Sequence, residues 1–426
     1  MAKYTRVIVD AMNLVHRAYH TTVEGLRVND SGTSPVDAPT LKPPTGMDAY
    51  PTGVLYVSTL FYLNLLRRWL PDQVIFVWDG NGALTWRKQE YSRYKANRDA
   101  ARALYTSEEL YRREVFMKEE LGDVRYMVDG FGGMNLTAPD GMEADDVISH
   151  LTRNLTCADN TTDVIISTDS DLIQLVRQHC VTVFSPTKQI LYWQRDDGAI
   201  VATDENMHTS GVAYASPMQA LLTKVLTGDR ADNVPGVPNC GDVSARLLAA
   251  TISDYASTFN IEADDLRLLF NGSHDKGLIF QVTNTGLRMN STGALIRRAE
   301  KLMTGLLSNA QSRAEFRTSY YLCDLSTRPY REIERGVMRE AIQRATRAYV
   351  RELKTARAVS VPVLARDNEH MVCPFSNFFG KRGFKMAFDD EAREEAGLRV
   401  RELHYRHKKY IRALAPHAQQ AWKRFV

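Results

Sequence analysis

The chain has 426 residues, of which 44% are hydrophobic and 25% are charged, a composition typical of a globular protein with a sizeable core rather than a disordered one. Five cysteines are scattered without a Cys-x-x-Cys pair, which indicates a reducing compartment and argues against a thiolate zinc site. No run approaches the roughly 20 apolar residues that cross a bilayer, and the chain enters its first predicted strand without a leader segment. We therefore expect a cytoplasmic monomer with no membrane partner.

The first predicted elements are a strand and a helix. Residues 6–9 form a short β-branched run that predicts a strand, and residues 12–20 continue as a helix that carries Arg17 and Tyr19. Residues 21–52 then break every period with proline, glycine, serine and threonine. This composition predicts a mobile loop insertion.

Strands and helices continue to alternate after the insertion. An apolar-rich run ends at a proline, and several short β-branched runs follow it. Such alternation predicts an α/β fold with a doubly wound, mainly parallel sheet. The expected elements are a helix over 54–70 and strands over 74–79, 124–128 and 181–184.

A basic and aromatic segment covers residues 86–118. If the segment is one helix, its cations and tyrosines fall on a single face. Such a face suits single-stranded nucleic acid, because cations neutralise phosphates and a ring stacks a base for about 1–3 kcal/mol. The alternative is a solvated basic helix whose tyrosines lean on the body of the protein. The face consists of Arg87, Tyr91, Tyr94, Lys95, Arg98 and Arg102.

Acidic residues mark both ends of a predicted helix–strand unit. Apolar residues recur at helical spacing over 144–155, so Glu143, Asp145 and Asp146 lie at the entrance of an amphipathic helix. The strand that follows ends at Asp169 and Asp171. The alternative role of the first three acids is to cap the helix and offset its dipole, for about 0.3–1 kcal/mol each.

Two earlier predicted strands also end in aspartate, namely Asp10 and Asp79. In an open parallel sheet, ligands bind outside the carboxyl ends of the strands, so these acids should converge with Asp169. Clustered carboxylates repel one another and raise one another's pKa. Cations relieve this repulsion, and an all-oxygen shell favours Mg²⁺ or Mn²⁺ over zinc.

A second motif covers residues 226–241 and opens onto another predicted helix. It adds Asp229 and Asp232, and it contains Gly236 and Gly241. Such a loop can bring backbone N–H groups against a phosphate, helped by the helix dipole. The alternative is a helix–turn–helix hairpin whose glycines only form the turn.

Charge divides the chain into two parts. Residues 336–426 hold 19 Lys and Arg against 10 Asp and Glu, whereas residues 1–335 hold 35 against 41. An acidic catalytic body with a basic C-terminal extension suits a nucleic-acid partner. We therefore divide the chain into a domain at 1–335 and a basic helical extension at 336–426.

Taken together, eight motifs in order resemble the 5′-nuclease family, which comprises flap endonucleases, bacteriophage 5′–3′ exonucleases and the 5′-nuclease domain of DNA polymerase I. They cover roughly residues 5–250, with weaker similarity to about 330. The resemblance implies a PIN-like fold. The motifs are Val-Asp-Ala-Met-Asn (9–13), Arg-Ala-Tyr-His (17–20), Pro-Thr-Gly (51–53), Phe-Val-Trp-Asp-Gly (76–80), Arg-x-x-x-Tyr-x-x-Tyr-Lys-x-x-Arg (87–98), Glu-Ala-Asp-Asp (143–146), Ser-Thr-Asp-x-Asp (167–171) and Gly-Asp-x-x-Asp-Asn-Val-Pro-Gly-Val (228–237).

The resemblance implies two Mg²⁺ ions, or Mn²⁺ in their place, that together hydrolyse a phosphodiester. It implies that Lys95 and Arg98 are catalytic cations that neutralise the scissile phosphate. Asp10, Asp79 and Asp169 are expected to be catalytic as metal ligands. The implied ligands are Asp10, Asp79, Glu143 and Asp145 at the tighter site, and Asp169, Asp171 and Asp229 at the second, supported by Asp146 and Asp232.

The resemblance also implies two nucleic-acid-binding devices. Residues 86–122 would form a helical arch for a 5′ single strand, and residues 218–250 a helix–three-turn–helix that grips the duplex backbone and holds K⁺. Here Asn239-Cys240-Gly241 replaces the family's Gly-Ile-Gly, and Val243 replaces a lysine, which leaves the K⁺ site and the duplex affinity open. The expected nucleic-acid contacts are Arg17, Tyr19, Arg87, Tyr91, Tyr94, Lys95, Arg98, Gly236, Val237, Gly241, Ser244 and Arg246, the last as a substitute for the missing charge.

The sequence thus predicts a structure-selective 5′-nuclease that acts on 5′ flaps, nicks and duplex ends of DNA, with RNA–DNA hybrids as further candidate substrates, in replication or repair. If the chain is phage-encoded, it would act in the host cytoplasm. We expect the extension to add nucleic-acid affinity or to dock a sliding clamp or single-strand-binding protein, and the alternative is a packing appendage. Two other functions stay open: a PIN-type endoribonuclease and a non-catalytic protein that binds branched DNA.

Overall fold

The structure is a computed structural model. It describes residues 6–27, 53–69, 71, 73–105, 121–130, 133–154, 162–204, 208–259, 261 and 275–325, with isolated positions between 107 and 120 and between 337 and 347. Among these residues, no helix is long and apolar enough to span a membrane.

One eight-stranded sheet organises the N-terminal half, in the order β3-β2-β1-β4-β5-β6-β7-β8. The pairs from β3 to β5 are parallel, and those from β5 to β8 are antiparallel. The sheet is therefore mixed and its first five strands are parallel, as predicted. The strands are β1 (Arg6–Asp10), β2 (Gln73–Trp78), β3 (Met134–Thr137), β4 (Asp163–Ile166), β5 (Val181–Ser185), β6 (Ile190–Gln194), β7 (Ile200–Thr203) and β8 (Thr209–Tyr214).

Helices cover both faces of the sheet, because the central strands are apolar on both sides. Val7 and Val9 of β1 pack with the first helices on one face, whereas Ile8 packs with Val147 and Ile148 on the other. The helices of this half are α1 (Ala11–Arg27), α2 (Gly53–Trp69), α3 (Thr85–Glu90), α4 (Ala96–Arg102), α5 (Leu121–Gly130) and α6 (Ala144–Asn154), with a 3₁₀ helix at Ser170–Leu175.

The C-terminal half of the described chain is helical and has its own core. Leu222, Leu248 and Met303 are buried within it. Its far end is joined to the sheet domain, since the backbone of Leu325 hydrogen-bonds with the side chains of Gln174 and Ser149. The helices are α7 (Pro217–Thr227), α8 (Asp242–Thr258), α9 (Asp275–Arg288), α10 (Gly293–Ser308) and α11 (Ala310–Cys323).

Three expectations about local structure were wrong. The strand predicted over 124–128 is part of helix α5, and the strand of this region is β3. The segment from residue 86 is not one helix, because α3 ends at Glu90 and α4 begins at Ala96, so the expected single face does not form. Residues 21–27 continue helix α1 rather than forming a loop.

Other expectations lie outside the described residues. These are the remainder of the insertion, at 28–52, and nearly all of the basic extension at 336–426. The two helices expected in 218–250 are present as α7 and α8.

Candidate metal centre and nucleic-acid interface

Asp10 is the last residue of β1 and lies at the carboxyl edge of the sheet. Its side chain accepts hydrogen bonds from the Asn13 backbone N–H at 3.1 Å and from Ser167 Oγ at 2.9 Å. Burial and then the negative charge of Asp79 raise the pKa of Asp10 to about 7, with a smaller contribution from Asp169, although the two hydrogen bonds lower it. Asp10, Asp79 and Asp169, which follow three neighbouring strands, therefore interact electrostatically.

Asp79 follows β2 and links that strand to the start of α6. Its Oδ1 accepts the backbone N–H of Ala144 at 2.8 Å, and burial raises the pKa of its carboxyl group. The next residue has to be glycine, because a Cβ atom at Gly80 would lie 2.1 Å from the carbonyl oxygen of Pro139. The loop after β2 and the loop before α6 therefore pack closely, and this packing fixes the position of the Asp79 carboxylate.

Asp145, in the first turn of α6, joins the same group of acids. Its pKa is raised well above the ordinary value, mainly by burial and then by the charges of Asp10, Asp169 and Glu143. Charges influence one another this strongly only over short distances inside a protein. Asp145 therefore interacts electrostatically with Asp10, Asp169 and Glu143, and the convergence of these acids around a metal ion stays a prediction.

Glu143 is buried and neutralised by cations from the arch segment. Arg87 lies 2.5 Å from its Oε2, Lys95 bonds to its Oε1, and the Tyr94 hydroxyl donates to it at 3.1 Å. Burial alone would raise the pKa of Glu143, but Arg87 and Lys95 outweigh burial and hold that pKa below its ordinary value. The carboxylate is thus ionised although it is buried.

Asp146 is fully buried and anchors α3 to α6. Arg87 donates two hydrogen bonds to its carboxylate, at 3.0 and 2.8 Å, and Trp86 Nε1 donates a third at 3.3 Å. The same carboxylate accepts the backbone N–H of Glu143 at 3.2 Å at the start of α6. These contacts resemble the helix-capping alternative, and the role of Asp146 as a supporting metal residue stays a prediction.

A second group of acids surrounds Lys224 of α7. Its ammonium lies 2.7 Å from Asp171 Oδ1 and 2.6 Å from Asp229 Oδ2. Asp169 caps the 3₁₀ helix by accepting the Asp171 backbone N–H at 2.8 Å. Burial and then the negative charge of Asp169 raise the pKa of Asp171 to about 7, although Lys224 lowers it. Sequence analysis missed Lys224, although it is the single charged residue of α7.

Asp232 connects the arch segment to the hairpin. Its carboxylate accepts Arg98 at 2.5 Å and lies 3.5 Å from Lys95 Nζ, and its backbone carbonyl accepts the Lys95 N–H at 2.8 Å. Lys95 has a left-handed backbone with φ of 55°, which costs energy for a residue other than glycine. These contacts hold Lys95 so that its ammonium touches an acid of each group, Glu143 and Asp232.

The described Asp, Glu, His and Cys side chains form no group of three or more that could hold a metal ion in their present positions. Arg87, Lys95 and Lys224 bridge the acids instead. The acids nevertheless fit hard divalent cations, because all of their donor atoms are carboxylate oxygens that repel one another. Asp171 Oδ1 is buried and accepts no aligned hydrogen bond, so Lys224 neutralises it only as an ion pair.

The residues expected to contact nucleic acid differ in accessibility. Tyr19, Arg87 and Tyr94 are buried, with the last two facing the acids. Arg17 is exposed and donates to Thr187 Oγ1 at 2.8 Å, and about half of the Arg98 side chain (49%) is exposed. Among the described residues of 86–122, Arg87, Lys95 and Arg98 therefore neutralise the nearby acids. Tyr94 could stack on a base only if its ring left the core.

Two of the three glycines in the loop between α7 and α8, Gly236 and Gly241, have different surroundings. A Cβ atom at Gly236 would lie 2.3 Å from the carbonyl oxygen of Thr227, whereas one at Gly241 would meet no atom within 4 Å. Val237 and Ser244 are buried. Gly236 therefore serves close packing, and Gly241 leaves the start of α8 open.

Arg246 does not face the tip of this loop. It donates to Asp242 at 3.0 Å and to the backbone carbonyl of Ala213 at 2.9 Å, and its guanidinium lies over the ring of Tyr214. Its expected role as the replacement cation of the hairpin stays a prediction with little geometric support.

Among the described residues, Cys240 and Cys323 are buried free thiols. Cys180 is disulfide-bonded, which does not fit the reducing compartment expected from the scattered cysteines.

Comparisons with known proteins match the part of the chain that carries most of these acids. The model of the 5′–3′ exonuclease N-terminal, resolvase-like domain matches residues 5–205. DNA polymerase I of Treponema pallidum (strain Nichols) is 30% identical over 247 residues, which are 58% of this chain and 20% of that protein. Flap endonuclease Xni of Shewanella loihica is 29% identical over 196 residues, 46% of this chain and 65% of that protein. The chain therefore spans about a fifth of the length of the polymerase.

Among solved structures, the T5 D15 protein co-crystallised with metal ions is similar with a TM-score of 0.48 and 20% identity. The match covers 80% of this chain and 99% of that chain.

Proposed function

We propose that this chain, whose residues 5–205 match the model of the 5′–3′ exonuclease N-terminal domain, is a divalent-metal-dependent nuclease that hydrolyses phosphodiester bonds near 5′ ends in DNA. One observation carries the proposal. Carboxylates from separate strand ends, a helix start and a hairpin lie close enough to shift one another's pKa values, and buried cations are interleaved with them. Burying so many charges lowers the stability of the fold. Groups of acids with shifted pKa values occur mainly at functional sites.

The acids would hold two hard divalent cations, Mg²⁺ or Mn²⁺. When bound, the ions would supply an activated water and positive charge at the attacking and leaving oxygens of the phosphodiester. The tighter set would be Asp10, Asp79, Glu143 and Asp145, supported by Asp146, and the second set would be Asp169, Asp171 and Asp229, supported by Asp232.

The chain's own cations would position the substrate. Lys95 touches an acid of each set, so its ammonium lies where a phosphate spanning both sets would sit. Arg98 is next to it, bound to Asp232 and half exposed. Cations fixed in this way can stabilise charge that develops on the scissile phosphate. Their present carboxylate partners would be taken over by the metal ions, which leaves both side chains available to the phosphate.

The relatives favour a DNA substrate with a free 5′ end. One is named a flap endonuclease and the other a DNA polymerase. We therefore propose 5′ flaps and nicked or blunt duplexes as substrates, in replication or repair, and we include RNA–DNA hybrids as test substrates.

Arg87 and Trp86 would support this site by fixing α3 against Asp146.

A substrate panel tests the proposal. The full chain is incubated with end-labelled 5′-flap DNA, nicked duplex, an RNA–DNA hybrid and unstructured RNA, each with Mg²⁺, Mn²⁺ or EDTA. We expect cleavage of the 5′-flap substrate that requires metal and is absent in Asp169→Asn. Preferred cleavage of unstructured RNA would support an endoribonuclease instead. Binding of the flap without cleavage across the metal titration would support a non-catalytic DNA-binding protein.

A further inference from the structure

A basic stripe lies on helix α10, outside the residues assigned above. Arg297, Arg298 and Lys301 are exposed, whereas Ile296 and Ala299 of the same helix are buried in the helical core. The stripe is therefore fixed on a packed element. Residues four apart on a helix have Cβ atoms about 5–6 Å apart, which places Arg297 and Lys301 side by side along the helix.

The stripe touches the loop between α7 and α8. Arg298 Nη2 donates to the backbone carbonyl of Asn239 at 3.1 Å. Asn239 has a left-handed backbone with φ of 64°, and Gly241, two residues later, faces open space. Helix α10 therefore brings positive charge directly to the tip of the hairpin.

The hairpin itself supplies little free charge there. Residues 228–250 contain two basic side chains, Arg230 and Arg246. Arg246 is already paired with Asp242 and with the carbonyl of Ala213. Arg298 is thus the cation that the described contacts place at the loop tip.

The cations of the stripe form no ion pair with an acid of the described residues, in contrast to most cations described above. Arg288 of the neighbouring helix is paired with Asp254. Glu300, the acid nearest in sequence to the stripe, accepts a hydrogen bond from Thr283 Oγ1. Three unneutralised cations on a rigid face beside an open helix start suit an anionic partner with regularly spaced charges.

We propose that Arg297, Arg298 and Lys301 bind successive backbone phosphates of duplex DNA, so that α10 and the α7–α8 loop together form the duplex-binding surface. The proposal rests on the proposed function, and it names the place of the duplex part of the substrate. B-DNA carries one phosphate charge per about 1.7 Å of helix axis when both strands are counted, so more than one phosphate lies within reach of a stripe whose residues are about 5–6 Å apart. The contacts carry no base information and give affinity without sequence preference.

Salt-dependent binding tests the inference. Fluorescence anisotropy measures the affinity of the full chain for a blunt duplex and for a single strand, in EDTA, over a range of NaCl concentrations. The variant Arg297→Gln/Arg298→Gln/Lys301→Gln is compared with the parent and with Arg317→Gln, which removes an exposed cation from α11. Glutamine keeps the helix propensity of these positions, and thermal unfolding verifies the fold.

The triple variant should bind the duplex at least about tenfold more weakly at low salt. The slope of log K against log salt should fall by about 2–3, because each lost phosphate contact removes about 0.9 from it. Single-strand affinity should be unchanged, and Arg317→Gln should match the parent. A triple variant with the parental slope and duplex affinity would overturn the inference. Stripe-dependent duplex binding by a protein that cleaves no substrate would contradict the proposed function alone.

Discussion

Lys224 Nζ lies 2.6 Å from Asp229 Oδ2, and the same ammonium is 2.7 Å from Asp171. The lysine thus joins an acid beside the sheet to an acid of the hairpin. Burial would lower the pKa of Lys224, but the neighbouring carboxylates of Asp171, Asp169 and Asp229 together outweigh burial and raise that pKa above its ordinary value. Lys224 is therefore a permanent cation, which neutralises acids that would otherwise repel one another.

Replacing Lys224 with methionine should raise the affinity for Mn²⁺ at the second acidic group by about tenfold, because the internal cation no longer competes for Asp171 and Asp229. That factor corresponds to about 1.4 kcal/mol. Isothermal titration calorimetry measures the change, with Lys224→Arg as a control that keeps the charge. An unchanged or weaker Mn²⁺ affinity in Lys224→Met would contradict the role of Lys224 as a counter-charge.

Lys95→Ala should lower kcat on a 5′-flap substrate by about 10²–10³-fold, the usual effect of removing a group that stabilises transition-state charge. KM should change little, since other cations still bind the DNA. Glu143 keeps Arg87 as a partner, so the fold should persist. Steady-state kinetics and circular dichroism provide the two measurements. A parental kcat would show that Lys95 does not act on the scissile phosphate.

Asp169→Asn and Asp79→Asn should each abolish cleavage and leave substrate binding largely intact. Asparagine keeps the shape of the side chain and a carbonyl acceptor. It can therefore still accept the backbone N–H of Asp171 at position 169 and that of Ala144 at position 79. What the variants lose is negative charge toward a metal ion. Gel cleavage and anisotropy in EDTA separate the two effects, and residual cleavage above a few per cent would exclude the residue from the metal centre.

Stability of the metal-free protein should fall as pH rises through about 7. The pKa values of Asp10 and Asp171 are raised to about 7 by burial and by neighbouring acids, whereas in the unfolded chain they are near 4. Protonation therefore favours the folded state, and this contribution, complete below about pH 4, is lost as the groups ionise. We expect Tm in EDTA to decrease between about pH 5.5 and pH 8.

Mn²⁺ should remove this loss, because metal binding stabilises the ionised acids. A Tm in EDTA that is constant or rises over the same pH range would mean that these carboxylates are ionised without a metal ion.

Gly236→Ala and Gly241→Ala form a matched pair. A methyl group at Gly236 would collide with the backbone of Thr227, whereas one at Gly241 would meet open space. Overpacking of this kind costs about 1–3 kcal/mol, and a collision with backbone should lie at the upper end. Denaturant unfolding should therefore show a large loss of stability for Gly236→Ala and a small change for Gly241→Ala. Equal stabilities would be inconsistent with the observed packing of the loop.

The strand-end acids were predictable from sequence. Short β-branched runs that end at Asp10, Asp79 and Asp169 have few structural alternatives, and parallel strands bring their carboxyl ends to one edge. The helix over 121–130 was not recognised, because its Val and Tyr residues favour strands locally. The burial of Val124, Met127 and Val128 on one side follows helical spacing, and a longer window would have revealed it.

The cations within the acidic site could not be predicted in the same way. Lys224 occurs in an otherwise apolar helix, and its two partners are distant in sequence or separated from it by a turn. The break at Lys95 depends on a tertiary hydrogen bond from its backbone to Asp232. Local periodicity carries no information about such contacts, so it suggested a continuous helix.

The number of Mn²⁺ ions bound by the full chain tests the central claim most directly, namely that acids from distant segments form two metal sites. Isothermal titration calorimetry near neutral pH should give two ions for the parent protein and one for Asp171→Ala, which removes an acid of the second group only. Binding of no Mn²⁺, or a stoichiometry that Asp171→Ala and Asp79→Ala leave unchanged, would contradict the claim.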